Sequence, residues 1–243
     1  MSESVLQYAT RQPKTLALAG LCAALLATLS RGATTPPPGS VPAASLSGPA
    51  HVIDGDTIVI GDAHIRLEGI DAPEASQRCG GEWFGTWACG EAATRALTEL
   101  VAGRDVRCDV RGHDVYRRLL AVCYAGPVEL NAEMVHRGLA WAFIKYSRNY
   151  VAAEADARAA KVGVWQGTAE PPWEYRHKKW AIGVTGAPQG CAIKGNLTRH
   201  GRIYHMPWSP WYDKTRIDTA KGERWFCSEA EAITAGWRSA LSP

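Results

Sequence analysis

No segment of this 243-residue chain repeats itself, which sets aside stacked repeat architectures. No uncharged apolar run reaches the ~20 residues that a membrane-spanning helix requires; the run over residues 16–29 stops short of it. No strong charge of one sign marks the chain as a whole, whose formal net charge is +3. Overall charge therefore identifies no polyanionic partner. What is present is a 46% share of hydrophobic residues, enough for one sizeable packed domain with an appendage.

The N-terminus also lacks clear processing signals. No small-x-small cleavage site precedes Arg31, and Leu21 separates Gly20 from Cys22, off register for a lipoprotein signal. Arg11 and Lys14 ahead of the apolar run nonetheless read as a targeting segment. Residues 1–31 are expected to be a signal peptide or an N-terminal membrane anchor, with inner-membrane attachment through residues 16–30 as one outcome. The chain is then exported: periplasmic, secreted, or anchored. Residues 32–47, rich in Pro, Thr, Gly and Ser, read as a linker.

Charge is spread unevenly. Residues 48–176 are net −4 and residues 177–243 net +5. A basic tail of this kind could recruit a polyanion, or be a solvated surface. Of seven cysteines, Cys22 lies in the apolar run, which leaves six. An even number in an exported chain suggests disulfides. Cys79 and Cys89 bracket a Gly/Trp-rich loop that also holds Trp83 and Trp87. Cys108 and Cys123 sit on consecutive apparent strands, and Cys191 and Cys227 bracket the tail. These three pairs are expected.

Residues 52–53, 58–60 and 65–70 read as short strands separated by Asp-Gly and Gly-Asp turns. Helical spacing follows over 91–101, with Gly103 as a stop, then strands over 105–110 and 119–124. Two more helices are expected from Asn131 to Gly138 and over 152–161. Connections within the first three strands are too short for crossover helices, which excludes a parallel sheet. The order predicts an α+β fold, mainly β with helices: a five-stranded OB-fold-like barrel with about three helices. It occupies residues 48–176. Pro171-Pro172-Trp173 reads as its end, 177–190 as a linker, and 191–243 as a small Cys/Trp-rich C-terminal module.

The chemistry concentrates in Asp54-Gly55-Asp56-Thr57, Arg66 and Asp71-Ala72-Pro73-Glu74. Paired carboxylates seat a hard cation, an arginine beside them suits a phosphate, and a further glutamate can take a proton from water. Together with Asp114-Val115-Tyr116-Arg117-Arg118-Leu119-Leu120-Ala121, this pattern resembles the staphylococcal-nuclease-like (thermonuclease) family. The resemblance runs over about residues 51–176 and continues through Leu130-Asn131, Gly138-Leu139-Ala140 and Gly163-Val164-Trp165.

That resemblance implies a metal-assisted phosphodiesterase, an endonuclease acting on DNA and RNA. It implies Ca2+ ligated by Asp56, Asp71 and the carbonyl of Ala72, with Asp54 supporting from behind. Arg66 and Arg118 are implied to bind the scissile phosphate, Glu74 to act as base, and Tyr116 to lie beside the substrate. Arg117 stands where the family commonly has glycine, and the register with Leu120-Ala121 favours Arg118 over it. No obligate protein partner is inferred. The competing reading is a non-catalytic module on the same barrel that binds nucleic acid or an envelope polymer. In the tail, Cys191, Cys227, His200 and His205 could instead form a zinc site, although export favours the disulfide.

Overall fold

The computed structural model describes residues 44–81 and 85–240. The targeting segment over 1–31, most of the linker over 32–47, and Trp83 lie outside the described residues. Among the described residues no helix is long and apolar enough to cross a membrane. The described residues belong to one compact unit.

Five strands make its frame: β1 (Ser45–Val52), β2 (Thr57–Ile60), β3 (Ala63–Leu67), β4 (Asp105–His113) and β5 (Leu119–Ala125). They run in the order β3-β2-β1-β4-β5, and a parallel pairing of β3 with β5 closes the ring. This is the barrel the sequence predicts. Alternation places Ile58, Ile60, Ile65, Leu67, Val106, Cys108, Ala121 and Cys123 inside. Helix α1 (Cys89–Val101) caps this core with Ala93, Ala96, Leu97 and Leu100, and α2 (Leu130–His136) adds Leu130, Met134 and Val135. A third helix, α3 (Val151–Ala159), packs Ala153 on the same core.

β1 begins at Ser45, inside the stretch read as linker, and ends at Val52 rather than starting there. Its Ser, Gly and Pro content hides the strand signal. Pairing on both edges, Ser45 to Pro49 with β4 and Ala50 to Val52 with β2, overrides that weak local preference. The stretch over 177–190, expected as a linker, is helical through Thr185. Helix α4 spans Pro172–Thr185, with Pro172 in its first turn. Proline lacks an N–H, but the first-turn N–H groups have no intrahelical acceptor anyway. The Pro-Pro pair therefore starts a helix here instead of ending a domain.

After α4 comes a four-stranded sheet: β6 (Ile193–Thr198), β7 (Gly201–His205), β8 (Arg224–Phe226) and β9 (Arg238–Ser239), ordered β8-β6-β7-β9. With α5 (Glu229–Thr234) it encloses Ile193, Tyr204, Phe226, Ala232 and Trp237. Trp180 of α4 packs on this small core. All three expected disulfides are present, Cys79–Cys89, Cys108–Cys123 and Cys191–Cys227. The zinc alternative fails because both of its cysteines are consumed by that bridge. His205 Nε2 is paired with Asn196 Oδ1 at 2.9 Å, and no three-ligand metal cluster occurs among the described residues.

Candidate active site

Asp56 ends the turn into β2, and Arg66 lies opposite Thr57 on β3. Asp71 lies in the two-residue strand Ile70–Asp71, which pairs with Trp141–Ala142. These elements bring the two carboxylates to opposite sides of one guanidinium. Arg66 Nη1 donates to Asp56 Oδ1 and Nη2 to Asp71 Oδ1, each at 2.8 Å. Asp56 is further held by the Thr57 hydroxyl at 3.1 Å and by the Ala72 N–H on its other oxygen at 2.9 Å. Asp54 Oδ1 accepts the Asp56 N–H at 3.2 Å. Both Asp56 and Asp71 are buried.

Two glycines make this approach possible. A Cβ on Gly55 would come within 2.6 Å of Ala72 Cβ and 2.7 Å of Ala93 Cβ, so only glycine lets the Asp54–Asp56 turn nest between the Asp71 exit and α1. A Cβ on Gly90 would stand 1.8 Å from the Glu74 carbonyl oxygen, so α1 starts directly against the Glu74 backbone. Buried Gln77 completes the support. Its side chain accepts the Glu74 N–H at 3.1 Å, and its amide donates to the Glu170 carbonyl at 2.7 Å.

Sequence reasoning missed Arg176. From α4 its Nη1 donates to Glu74 Oε1 at 2.7 Å and Asp71 Oδ1 at 3.1 Å, and its Nη2 to Asp71 Oδ2 at 2.7 Å. It lies 105 residues from Asp71 along the chain. Nothing in its local pattern, Trp173-Glu174-Tyr175-Arg176, distinguishes it from a surface helix residue.

Charge in the cluster is unbalanced. Four carboxyls, Asp54, Asp56, Asp71 and Glu74, face two guanidinium groups. Burial works against the charge of Arg66, but Asp56 and Asp71 outweigh it and hold that guanidinium more firmly protonated than usual. Arg176 is likewise raised, burial again being overcome by Asp71 and Glu74. Burial pushes the Glu74 carboxyl up to about 8, with Arg176 pulling the other way. Asp54 is pushed up to about 6 by burial and by its neighbour Asp56. A carboxyl that holds its proton near neutrality is suited to general acid–base work.

Tyr116 and Arg118 form a second group on the β4–β5 hairpin. Asp114 organises its tip, accepting the N–H groups of Tyr116 at 2.8 Å and Arg118 at 2.9 Å, and Arg118 Nε at 2.7 Å. Arg117 adopts φ +66°, the left-handed conformation that glycine ordinarily takes. The guanidinium of Arg118 lies 5.6 Å from the Tyr116 ring centroid. Neither side chain hydrogen-bonds to the Asp56–Asp71 cluster. The two groups nonetheless share a field: burial raises the Tyr116 hydroxyl, Glu229 adds to the rise, and Arg118 and Arg176 oppose it. Glu229 belongs to α5, so the C-terminal module borders the hairpin. The Ser76 hydroxyl, two residues after Glu74, donates to the Trp208 carbonyl at 2.6 Å and ties that loop to the module as well.

The donor set fits a hard divalent cation. Every candidate ligand is an oxygen. Asp56 Oδ1 and Asp71 Oδ1 each accept two hydrogen bonds, whereas Asp56 Oδ2 and Asp71 Oδ2 each accept one and keep a lone pair.

A family profile described as Staphylococcal nuclease homologue matches residues 64–167, and one described as ArfC matches residues 181–239. An uncharacterized endonuclease of Haemophilus influenzae is 36% identical over 121 residues, 47% of this chain and 62% of that protein. A micrococcal nuclease of Shigella flexneri is 34% identical over 143 residues, 51% of this chain and 76% of that protein. A succinoglycan biosynthesis protein, ExoI, of Rhizobium meliloti is 32% identical over 159 residues, 64% and 78%.

Proposed function

The chain belongs to the staphylococcal nuclease family, and on that premise we propose that it is an exported, calcium-dependent endonuclease hydrolysing phosphodiester bonds of DNA and RNA. The observation that carries this reading is the buried cluster in which Asp56, Asp71 and Glu74 converge with two arginines.

In this reading Asp56, Asp71 and the Ala72 carbonyl hold Ca2+, and Asp54 orders the turn behind them. When bound, the ion supplies positive charge that offsets the phosphate and favours an ordered water. Arg66 donates to the non-bridging phosphate oxygens, a task suited to a planar and permanently charged fork. Arg118, with Tyr116 beside it, engages the same phosphate from the hairpin. The ionised Glu74 accepts the proton of the attacking water, whose oxygen forms a bond to phosphorus as the P–O bond to the 5′ oxygen breaks, and that leaving oxygen takes a proton from solvent water. No covalent intermediate is required, and the products are a 3′-phosphate and a 5′-hydroxyl. Arg176 is a positioning residue in this scheme, fixing the Glu74 carboxylate against the carboxylate of Asp71. The apolar run over 16–29, preceded by Arg11 and Lys14, supports export.

A gel assay on residues 41–243 with single-stranded DNA and RNA tests the proposal. Cleavage is expected with calcium, with weaker activity in magnesium, which demands tighter octahedral geometry. It should vanish with a chelator, and Glu74→Gln should lower the rate by about 100-fold or more. Chelator-resistant cleavage, or full activity in Glu74→Gln, would sink it.

A further inference from the structure

The C-terminal module carries a cavity on the far side of its sheet from the contacts that border the hairpin. Strand alternation and the pairings Lys194↔His205 and Asn196↔Ile203 put Lys194, Asn196, Ile203 and His205 on one face. Tyr204, whose hydroxyl donates to Glu229 at 2.5 Å, belongs to the other face. The chain over 206–216 folds across the first face and is locked there by Lys194. That ammonium is buried, donates to the carbonyls of Tyr212 at 2.8 Å and Thr215 at 3.0 Å, and sits 4.1 Å from the Tyr212 ring centroid.

Between sheet and loop opens a cavity of about 660 Å³, inside the ~300–1,000 Å³ span usual for ligand sites. Lys214, Arg216 and Arg238 line it, with no Asp or Glu among the described lining residues. Arg216 donates to the backbone carbonyls of Asp213 and Thr215, so no contacting carboxylate cancels its charge. Trp211, at 45% exposed, adds a flat aromatic wall. His205 completes the lining and is 6% exposed. Its Nε2 is paired with Asn196, while its buried Nδ1 has no partner among the described residues. Burial, with Lys194 adding, holds this imidazole below its usual pKa. Facing the Asn196 amide oxygen, Nε2 carries the proton and donates.

We propose that this cavity is a second nucleic-acid site that seats a nucleotide of a single strand, base against Trp211 and phosphate against Lys214, Arg216 and Arg238. Cationic walls match the phosphates and a π face matches the base, the pairing that single-strand binders use. An acidic polysaccharide would satisfy the cations but brings no aromatic ring to Trp211. The proposal rests on the nuclease reading for its choice of polymer. It gives the net +5 of residues 177–243 a role that the acidic barrel does not fill.

Trp211 and Lys214 are exposed, so Trp211→Ala and Lys214→Glu should leave folding intact, which near-UV circular dichroism verifies. Fluorescence anisotropy with a labelled oligothymidine of about 12 nucleotides, in chelator to prevent cleavage, reads binding by the full chain. Each variant is expected to weaken binding about tenfold. Hydrolysis of a small chromogenic thymidine phosphodiester with calcium, too short to span two sites, should stay unchanged. Binding within twofold of the parent in both variants overturns the site. So does loss of acidic-polysaccharide binding in the variants while oligonucleotide binding is retained. A parent chain that cleaves no phosphodiester, yet whose oligonucleotide binding falls in Lys214→Glu, sinks the nuclease reading and supports this site.

Discussion

Asp71 is fully buried and accepts hydrogen bonds from two guanidinium groups, one of which also reaches Glu74. The sequence marks one of these arginines, Arg66, through its place in a motif. It gives no sign of the other, because helix spacing around Arg176 is that of any exposed turn. The consequence is measurable at a single carboxyl. Burial lifts Glu74 to about 8, and Arg176 is the main influence lowering it. Replacing a cation by a neutral amide removes the stabilisation of the ionised form, so in Arg176→Gln, Glu74 should titrate higher still. Carbon-13 NMR titration of Glu74 in ion-free protein checks this, and an unchanged or lower midpoint would contradict the contact. Arg117 offers the opposite case. Its departure from glycine is visible in the sequence, and the structure shows its backbone in the conformation glycine would take.

At the scale of elements, α1 and the Asp54–Asp56 turn form one packed unit. Gly55 is squeezed between Ala72 and Ala93, at Cβ separations that no side chain tolerates. Gly55→Ala must push the turn off α1 and carry Asp54 and Asp56 with it. Overpacking of this kind costs about 1–3 kcal/mol. We expect a lower melting temperature together with a larger proportional loss of nuclease activity, measured by thermal denaturation and by the gel assay on the folded protein. Retention of both would mean that the turn has slack. Strand and helix existence along the barrel was legible because alternation and helical spacing were strong there. The first strand and the fourth helix were not. Pairing on both edges makes β1 out of a Ser/Gly/Pro sequence, and first-turn proline makes a helix start look like a domain end.

For the molecule as a whole, the proposed Asp56–Asp71 cation site would make folding and cation binding linked equilibria. An ion that binds only the folded chain stabilises it by RT ln(1 + [L]/Kd), about 2.7 kcal/mol at one hundred times Kd. Calcium should therefore raise the melting temperature, and Asp56→Asn should abolish most of the rise. A calcium-independent melt would argue that Arg66 and Arg176 already supply all the charge the cluster takes. The sequence by itself determined the barrel and the Asp56–Arg66–Asp71–Glu74 motif, because each depends on spacing along a strand or a turn; it suggested the three cysteine pairs, and the fold joined Cys191 to Cys227 across 36 residues. Only the tertiary structure decided that Arg176 enters the cluster, that Tyr116 and Arg118 stand apart from it on their own hairpin, and that the basic tail folds around a cavity. Those arrangements join positions tens to more than a hundred residues apart, and local pattern carries no information about which distant surfaces meet when the core closes.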